Sequence, residues 1–392
     1  MKLRDGFHLA YCTNIHRGED WRQTFDGLQR YTLAVRDQVC RDQPYAIGLR
    51  LSDLASRELS QPEILREFQR WLLQENCYVF TINGFPYGRF HGERVKEQVY
   101  APDWTTPERL DYTNRLFDLL AELLPEGVEG SVSTVPGSFK EFITTPKQVA
   151  LMRSNLWHCV DHISEVSARA GKTLHLGLEP EPLCFLETSS ETVAFLEELR
   201  AERPGDHRLD RHLGVNYDAC HLAVEFEDPG EAISRFLKHN VRVSKIHLSS
   251  ALKVRPTIEA RRALSAFADH IYFHQVIERA GDGTLRRYRD LNVALDAWPS
   301  GTKLDPAAEW RIHFHIPLHS KPTQIFDNTT DHLLAILDIL REDPGLCSHL
   351  EMETYTWEVL PPELKSQSVV DQLAQEYQWT LAELGKRGLA SC

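Results

Sequence analysis

The chain has 392 residues and a formal net charge of −13. This length fits one α/β barrel with insertions, since such barrels run from roughly 200 to over 400 residues. The acidic balance argues against a nucleic-acid substrate, because affinity for phosphate backbones depends on lysine and arginine. Mean hydropathy is −0.38, and no apolar run approaches the roughly 18 residues of a bilayer span, so we expect no stable membrane insertion. The first residues lack the apolar core of a secretory signal, which predicts a cytoplasmic protein.

Short apolar runs rich in β-branched and aromatic residues alternate with longer amphipathic stretches. The runs predict strands at 8–15, 45–51, 78–83, 130–135, 173–178, 213–217, 243–248, 310–316 and 350–355. The amphipathic stretches predict helices at 62–73, 112–124, 149–170, 190–200, 230–239, 330–340 and 369–384. Strands that alternate with helices indicate βαβ units and a parallel sheet, and no glycine-rich phosphate loop follows the first strand. The predicted fold is an α/β (β/α)8 TIM barrel that forms a single domain over 1–392.

One stretch interrupts this alternation. Residues 251–309 contain a basic helix near 259–264 and two strand-like runs on either side of Gly281-Asp282-Gly283. Two such runs around a tight glycine turn predict a β-hairpin. We interpret 251–309 as an insertion of a helix and a β-hairpin after the seventh strand, packed over the barrel mouth.

The fifth and sixth predicted strands end in candidate ligands, at the barrel face where active sites lie. Glu179 and Glu181 leave the fifth strand, and a carboxylate there is costly unless it is paired or metal-bound. The alternative for both is a solvated loop glutamate. Asp218 and His221 follow the sixth strand three residues apart, and Asp218 could instead cap the next helix.

Later strands add imidazoles and further carboxylates. His247 alternates with apolar neighbours and is expected to face the barrel lumen, with a hydrogen-bonded core histidine as the alternative. His313 and His315 share one strand face, and neutral imidazole is a frequent ligand of Zn²⁺ and Mn²⁺. On the last strand Glu353 lies nearest the carboxyl end, so it is the expected ligand, while Glu351 would lie deeper and support the ligands.

Two other segments contain candidate substrate contacts. The loop 83–92 has two glycines around an aromatic pair that includes Tyr87, followed by Arg89 and His91. Aromatic rings with a cation and an imidazole suit a polyol, a phosphate or an aromatic ring; the alternative is an ordered loop with its rings packed inward. His16 follows the first strand and is expected to reach the mouth.

The ordered series Glu, Asp-x-x-His, His, His-x-His, Glu on strand ends resembles the xylose isomerase-like barrel superfamily. That superfamily includes sugar isomerases, epimerases and the endonuclease IV type of abasic-site nuclease. The resemblance implies that Glu179, Asp218, His247 and Glu353 bind a divalent metal such as Mn, Zn or Mg. The nucleases have a further histidine at the position of His221 and an Asp-x-His where this chain has His313-x-His315. Their fourth-strand His-Pro-Gly-Ser reads Val135-Pro136-Gly137-Ser138 here, which argues against a complete nuclease-type site.

More narrowly, the chain resembles the metabolite traffic barrel proteins of the Ebo cluster. The matching stretches are 83–92, the run from 273–276 to 287–291, and 313–317. This resemblance implies a link to secondary-metabolite biosynthesis or traffic.

Three functions follow as hypotheses. The leading one is a metal-dependent isomerase or epimerase acting on a small hydroxy-carbonyl or polyol metabolite, with Glu179 or Glu353 moving the proton. The second is a metal-dependent phosphoesterase, favoured by the extra histidines. The third is a non-catalytic protein that binds a metabolite and passes it on. A homo-oligomer is compatible with each of them.

Overall fold

The computed structural model describes residues 1–89, 91–92, 95–268, 270–297, 305–366 and 368–390. The strands in this part of the chain are β1 His8–Tyr11, β2 Tyr45–Arg50, β3 Cys77–Asn83, β4 Gly130–Thr134, β5 Leu174–Leu178, β6 Leu213–Asp218, β7 Arg242–Leu248, β8 Ala251–Val254, β9 Val276–Arg279, β10 Leu285–Tyr288, β11 Glu309–His315, β12 Phe326–Asn328 and β13 His349–Met352. The α-helices are α1 Trp21–Gly27, α2 Leu33–Val39, α3 Asp53–Leu59, α4 Pro62–Gln74, α5 Pro107–Leu123, α6 Pro146–Ala170, α7 Ser189–Glu202, α8 Arg208–His212, α9 Ala219–Val224, α10 Pro229–Lys238, α11 Ile258–Leu264, α12 Leu291–Asp296, α13 Thr330–Glu342 and α14 Val369–Lys386.

Eight parallel strands form the barrel. Their order is β1-β13-β7-β6-β5-β4-β3-β2, and a parallel bridge between Cys12 and Gly48 joins the two ends of the sheet. Helices surround these strands. Helices such as α4 and α10 have an apolar stripe, and an amphipathic helix of this kind packs that stripe against a core. The predicted (β/α)8 barrel is therefore confirmed.

The seam between β1 and β2 requires glycine. A Cβ added at Gly48 would lie 2.0 Å from Oε1 of Glu351 and 2.6 Å from the carbonyl oxygen of Tyr11. The register of β2 against β3 also shifts at this residue. The absence of a side chain thus lets a buried carboxylate occupy the lumen beside the seam.

A second sheet follows β7. Its five strands have the order β10-β9-β11-β8-β12 and pair antiparallel. The predicted strand at 310–316 is β11, which lies in this sheet and not in the barrel, and the sheet continues to Asn328, beyond the expected boundary at 309. It packs around its own buried apolar residues, among them Trp310 and Phe314.

Local signals account for the longest helix. α6 begins after Thr145, whose side chain forms a capping box with Gln148, and it has a proline in its first turn. It ends at Gly171, which has φ of 65° and so adopts the left-handed conformation that closes a helix. Among the described residues, no helix combines the length and the apolar character that crossing a bilayer requires.

Candidate metal centre

Side chains from four barrel strands meet at one point in the lumen, and we call them the four-ligand cluster: Glu179, Asp218, His247 and Glu353. Nδ1 of His247 lies 3.1 Å from Oε1 of Glu179, 3.3 Å from Oδ2 of Asp218 and 3.0 Å from Oε2 of Glu353. One potential ligand atom from each residue lies within 4.8 Å of all the others, and all four residues are buried. The strand ends therefore bring together the four residues that the superfamily resemblance implied.

The backbone continues the strand pairing where the two glutamates leave the barrel. The amide of Glu179 donates to the carbonyl of Thr134, and that of Glu353 donates to the carbonyl of Leu248, each at 3.1 Å. Asp218 pairs in register with His247 across β6 and β7. Each ligand is thus fixed by sheet hydrogen bonds at the carboxyl end of its strand.

Two asparagines orient Glu353. The side-chain amides of Asn14 and Asn83 donate to its Oε1 at 2.8 and 3.1 Å. The sequence analysis did not single out these asparagines. The pattern that singled out Glu179 is a polar residue at the end of an apolar strand. The same pattern applies to both asparagines, because Asn83 ends β3 and Asn14 lies just after β1.

A buried ion pair supports His247 from deeper in the lumen. Nε2 of His247 donates to Oε2 of Glu351 at 2.9 Å, and Nζ of Lys245 donates to the same oxygen at 2.7 Å. Burial opposes ionisation of Glu351, but Lys245 and His247 lower its pKa to about 2. With its hydrogen on Nε2, the imidazole presents Nδ1 to the carboxylates, as expected of a metal-binding histidine held by an outer carboxylate.

The electrostatic field at the cluster favours a cation. Burial opposes the protonated imidazole, yet the charges of Glu353 and Glu179 raise the pKa of His247 well above its usual value. Oε2 of Glu179 and Oδ2 of Asp218 are buried and have no hydrogen-bond partner in the described part of the chain. Because buried carboxylates with unfilled acceptor positions are costly, these residues fit a divalent cation with a mixed oxygen and nitrogen shell.

Three histidines form an imidazole cluster beside the four-ligand cluster: His221, His313 and His315. Their ring centroids lie 4.5 to 5.4 Å apart. Each Nδ1 contacts a carbonyl oxygen: that of Pro180 at 3.0 Å, Oε1 of Gln275 at 2.8 Å and the Glu353 carbonyl at 2.8 Å. With Nδ1 donating in each ring, the Nε2 atoms carry lone pairs, and those of His313 and His315 lie 3.3 Å apart, close enough to contact one shared ligand.

The imidazole cluster shares Asp218 with the four-ligand cluster. Asp218, His221 and His315 present atoms within 4.8 Å of one another, and so do Cys220, His313 and His315. Oδ1 of Asp218 accepts from the amide of His221 at 3.0 Å and therefore also caps α9. The capping role and the ligand role predicted for Asp218 are thus compatible.

Above the clusters lies a partly open cavity. Glu181 lines it and accepts a hydrogen bond from the hydroxyl of Tyr100 at 2.5 Å. Burial, together with the charge of Glu179, raises the pKa of Glu181 well above its usual value. Of the five predicted substrate contacts, Glu181 is the one found among the described residues that line this cavity.

The remaining predicted substrate contacts lie elsewhere. Tyr87 packs its ring against Tyr112, and Arg89 is exposed. His16 stacks on Tyr31 with ring centroids 4.7 Å apart. His91 is buried behind the cavity wall, where Nε2 contacts the carbonyl oxygen of Asn14 at 2.5 Å and Nδ1 contacts the hydroxyl of Tyr272 at 2.6 Å.

Comparison with known proteins identifies the fold. No family model and no curated protein matches the chain. A solved L-ribulose 3-epimerase aligns at 11% identity over 97% of this chain and 95% of that chain, with a TM-score of 0.51. A xylose isomerase-like TIM barrel protein from Mycobacterium smegmatis in complex with magnesium aligns at 14% over 98% and 94%, also with 0.51. The chain has the TIM-barrel fold of these proteins. A D-allulose 3-epimerase from Methylomonas sp. in complex with D-allulose aligns at 12% over 98% and 99%, with 0.50.

These structural alignments show the TIM-barrel fold and nothing finer. The solved neighbours include a xylose isomerase-like barrel and sugar epimerases, as the predicted superfamily resemblance leads one to expect. The narrower resemblance to the metabolite traffic barrels stays a prediction.

Proposed function

We propose that this xylose isomerase-like barrel is a metal-dependent isomerase or epimerase acting on a small hydroxy-carbonyl or polyol metabolite. The observation that carries the proposal is the four-ligand cluster, buried at the base of a cavity with carboxylate oxygens that lack partners among the described residues. Glu179, Asp218, His247 and Glu353 would hold a divalent ion such as Mn, Zn or Mg. When bound, such an ion polarises a carbonyl and so acidifies the neighbouring carbon.

The two glutamates have different surroundings, which suggests different roles. Asn14 and Asn83 hold one oxygen of Glu353, so this carboxylate has a fixed orientation. Oε2 of Glu179 has no such donor among the described residues, which suits a base that removes a proton from carbon. Delivery of a proton from water to the opposite face by way of Glu353 would give an epimer. Return of the abstracted proton by Glu179 to the neighbouring carbon would give an isomer.

Exchange of carbon-bound hydrogen tests the proposal directly. The Mn²⁺-loaded protein is incubated in D₂O with a panel of ketoses and other hydroxy-carbonyl compounds, and deuterium at carbon is followed by NMR. We expect incorporation with the wild type and a loss of about 10²-fold or more in Glu179→Gln and Glu353→Gln. Glu227→Gln, outside the cavity, is the matched control. No incorporation by the wild type for any compound would count against the proposal, and tight binding without turnover would favour the non-catalytic alternative.

The imidazole cluster supports a second candidate, a metal-dependent phosphoesterase. His221 and His315 could hold a second ion that shares Asp218 with the first, and paired ions commonly activate a water for attack on phosphorus. Release of inorganic phosphate from a panel of small phosphate esters, with loss of release in His315→Gln, would favour this candidate over the isomerase.

A role in secondary-metabolite biosynthesis or traffic is the most specific part of the proposal. It is supported by the likeness of 83–92, 273–291 and 313–317 to the metabolite traffic barrels. Co-purification of a bound metabolite, identified by mass spectrometry, tests it.

A further inference from the structure

Aromatic rings wall the cavity above the four-ligand cluster. They are Phe85, Tyr100, Tyr272, Phe273 and Tyr355, and each is at most 9% exposed. Phe85 follows β3, Tyr100 belongs to the turn before α5, and Tyr272 and Phe273 precede β9. Barrel loops and the segment that leads into the second sheet therefore contribute to one apolar enclosure.

Contacts between rings hold this wall in place. Tyr100 stacks on Phe139 with centroids 4.9 Å apart, and Phe139 stacks on Phe273 at 5.9 Å with an interplanar angle of 20°. On the other side, Tyr272 meets Tyr355 edge to face at 5.3 Å. Because each ring is fixed by another, the apolar enclosure exists before any ligand arrives.

Polar groups beside the aromatic rings interact with other side chains. Lys96 forms a buried ion pair with Asp290. The hydroxyl of Tyr100 donates to Glu181 at 2.5 Å and accepts from the side-chain amide of Gln275 at 2.9 Å. The aromatic part of the described wall therefore presents mainly carbon surface to a ligand, and a polyol hydroxyl placed against it would lose its hydrogen bonds to water without gaining a partner.

We propose that the substrate of this site carries an aromatic ring next to its two metal-binding oxygens. The polar end of the molecule is recognised at the four-ligand cluster, and the flat ring lies against Phe85 and Phe273. This inference rests on the proposed function, because it takes the cation as the anchor for the oxygens. It narrows the substrate class from open-chain sugars to aryl compounds that bear adjacent hydroxyl and carbonyl oxygens.

Two hydroxamates test the inference on the full chain loaded with Mn²⁺. Acetohydroxamate and benzohydroxamate present the same pair of oxygens and differ in a methyl or a phenyl group. By calorimetric titration we expect benzohydroxamate to bind about tenfold tighter or more, since the ring buries apolar area against the wall. The ratio of the benzohydroxamate affinity to the acetohydroxamate affinity should fall to about threefold or less in Phe85→Leu and in Phe273→Leu. Phe25→Leu, a substitution in α1 and outside the cavity, should keep the affinity ratio of the wild type.

The outcomes separate failure of this inference from failure of the metal centre. Equal affinities for the two hydroxamates would overturn the aromatic substrate class and leave the cation in place. Competition by D-fructose as strong as that by benzohydroxamate would also overturn it. If neither hydroxamate binds the Mn²⁺-treated protein, both the metal centre and this inference fail. The two wall variants are compared by circular dichroism so that a folding defect in one does not decide the result.

Discussion

His247 and Glu351 are joined by a hydrogen bond of 2.9 Å from Nε2 to Oε2, which lies on the side of the imidazole away from the three ligand carboxylates. Lys245 donates to the same oxygen at 2.7 Å and is fully buried. The hydrogen bond fixes which ring nitrogen faces the three carboxylates of the four-ligand cluster. Glu351 is therefore a positioning residue for the four-ligand cluster, and Lys245 makes its burial tolerable.

Removing this charged pair should weaken metal binding without removing a ligand. In Lys245→Met combined with Glu351→Gln, the imidazole loses its anionic acceptor while no lysine is left buried without a partner. We expect Mn²⁺ affinity, measured by calorimetric titration, to fall about 10- to 100-fold. Arg387→Met with Asp338→Asn, a pair outside the barrel lumen, is the control. An affinity equal to that of the wild type would show that the pair does not act on His247.

Gly48 should not tolerate a side chain. A Cβ there would meet Glu351 and the Tyr11 carbonyl at distances that require movement. We expect Gly48→Ala to lower the free energy of unfolding by about 1–3 kcal/mol in urea titrations, and to weaken metal binding because Glu351 must shift. Gly88→Ala, where a Cβ would meet nothing within 4 Å, should leave both quantities unchanged. Equal effects of the two substitutions would contradict the proposed close packing at the seam.

The imidazole cluster should bind a second metal ion beside the one held by the four-ligand cluster. His221 lies within reach of Asp218 and His315 but is not part of the four-ligand cluster. We therefore expect His221→Gln to weaken the second equivalent of Zn²⁺ about tenfold or more while leaving the first unchanged. Equilibrium dialysis over a range of zinc concentrations checks this. A single equivalent in the wild type, unchanged in the variant, would rule out a second ion.

Glu376 should make stability fall as pH rises. Burial raises its pKa from 4.5 to about 8, and Thr354 and Gln372 donate to its oxygens. Between pH 4.5 and about pH 8, Glu376 is ionised in the unfolded chain but stays protonated in the folded chain. Its contribution to the unfolding free energy is therefore complete below pH 4.5 and is lost as the pH rises towards about 8. Relative to Glu376→Gln, wild-type unfolding free energy should fall by about 3 kcal/mol between about pH 5 and about pH 8. The exposed control Glu342→Gln should follow the wild type. Parallel profiles for the wild type and Glu376→Gln would contradict the shifted pKa.

The barrel was predictable because its signals are local. Each of the nine apolar runs found in the sequence contains a strand, since residue type and alternation act over a few positions. The sheet that a strand joins is not a local property. The run at 310–316 has the pattern of a barrel strand, yet it pairs with β8 and β9, because partners distant in sequence determine the pairing.

The ligands were more predictable than the cavity wall. A carboxylate or imidazole at the end of an apolar strand stands out in sequence, and Glu179 and Glu353 were found in this way. Tyr100 and Tyr355 lie in short 3-10 helices and Tyr272 lies in a loop, and an aromatic residue in such a connection has many ways to be buried. The positions of these rings depend on ring-to-ring packing between distant segments, which no local pattern reports.

The most direct test of the account is metal content. The purified wild type, Asp218→Ala and His247→Ala are dialysed against Mn²⁺ and then against metal-free buffer, and bound metal is measured by mass spectrometry. His332→Asn, a buried histidine outside the cluster, is the control. The account predicts stoichiometric metal in the wild type and the control, with little in the two ligand variants. Wild-type metal content in both ligand variants would contradict it.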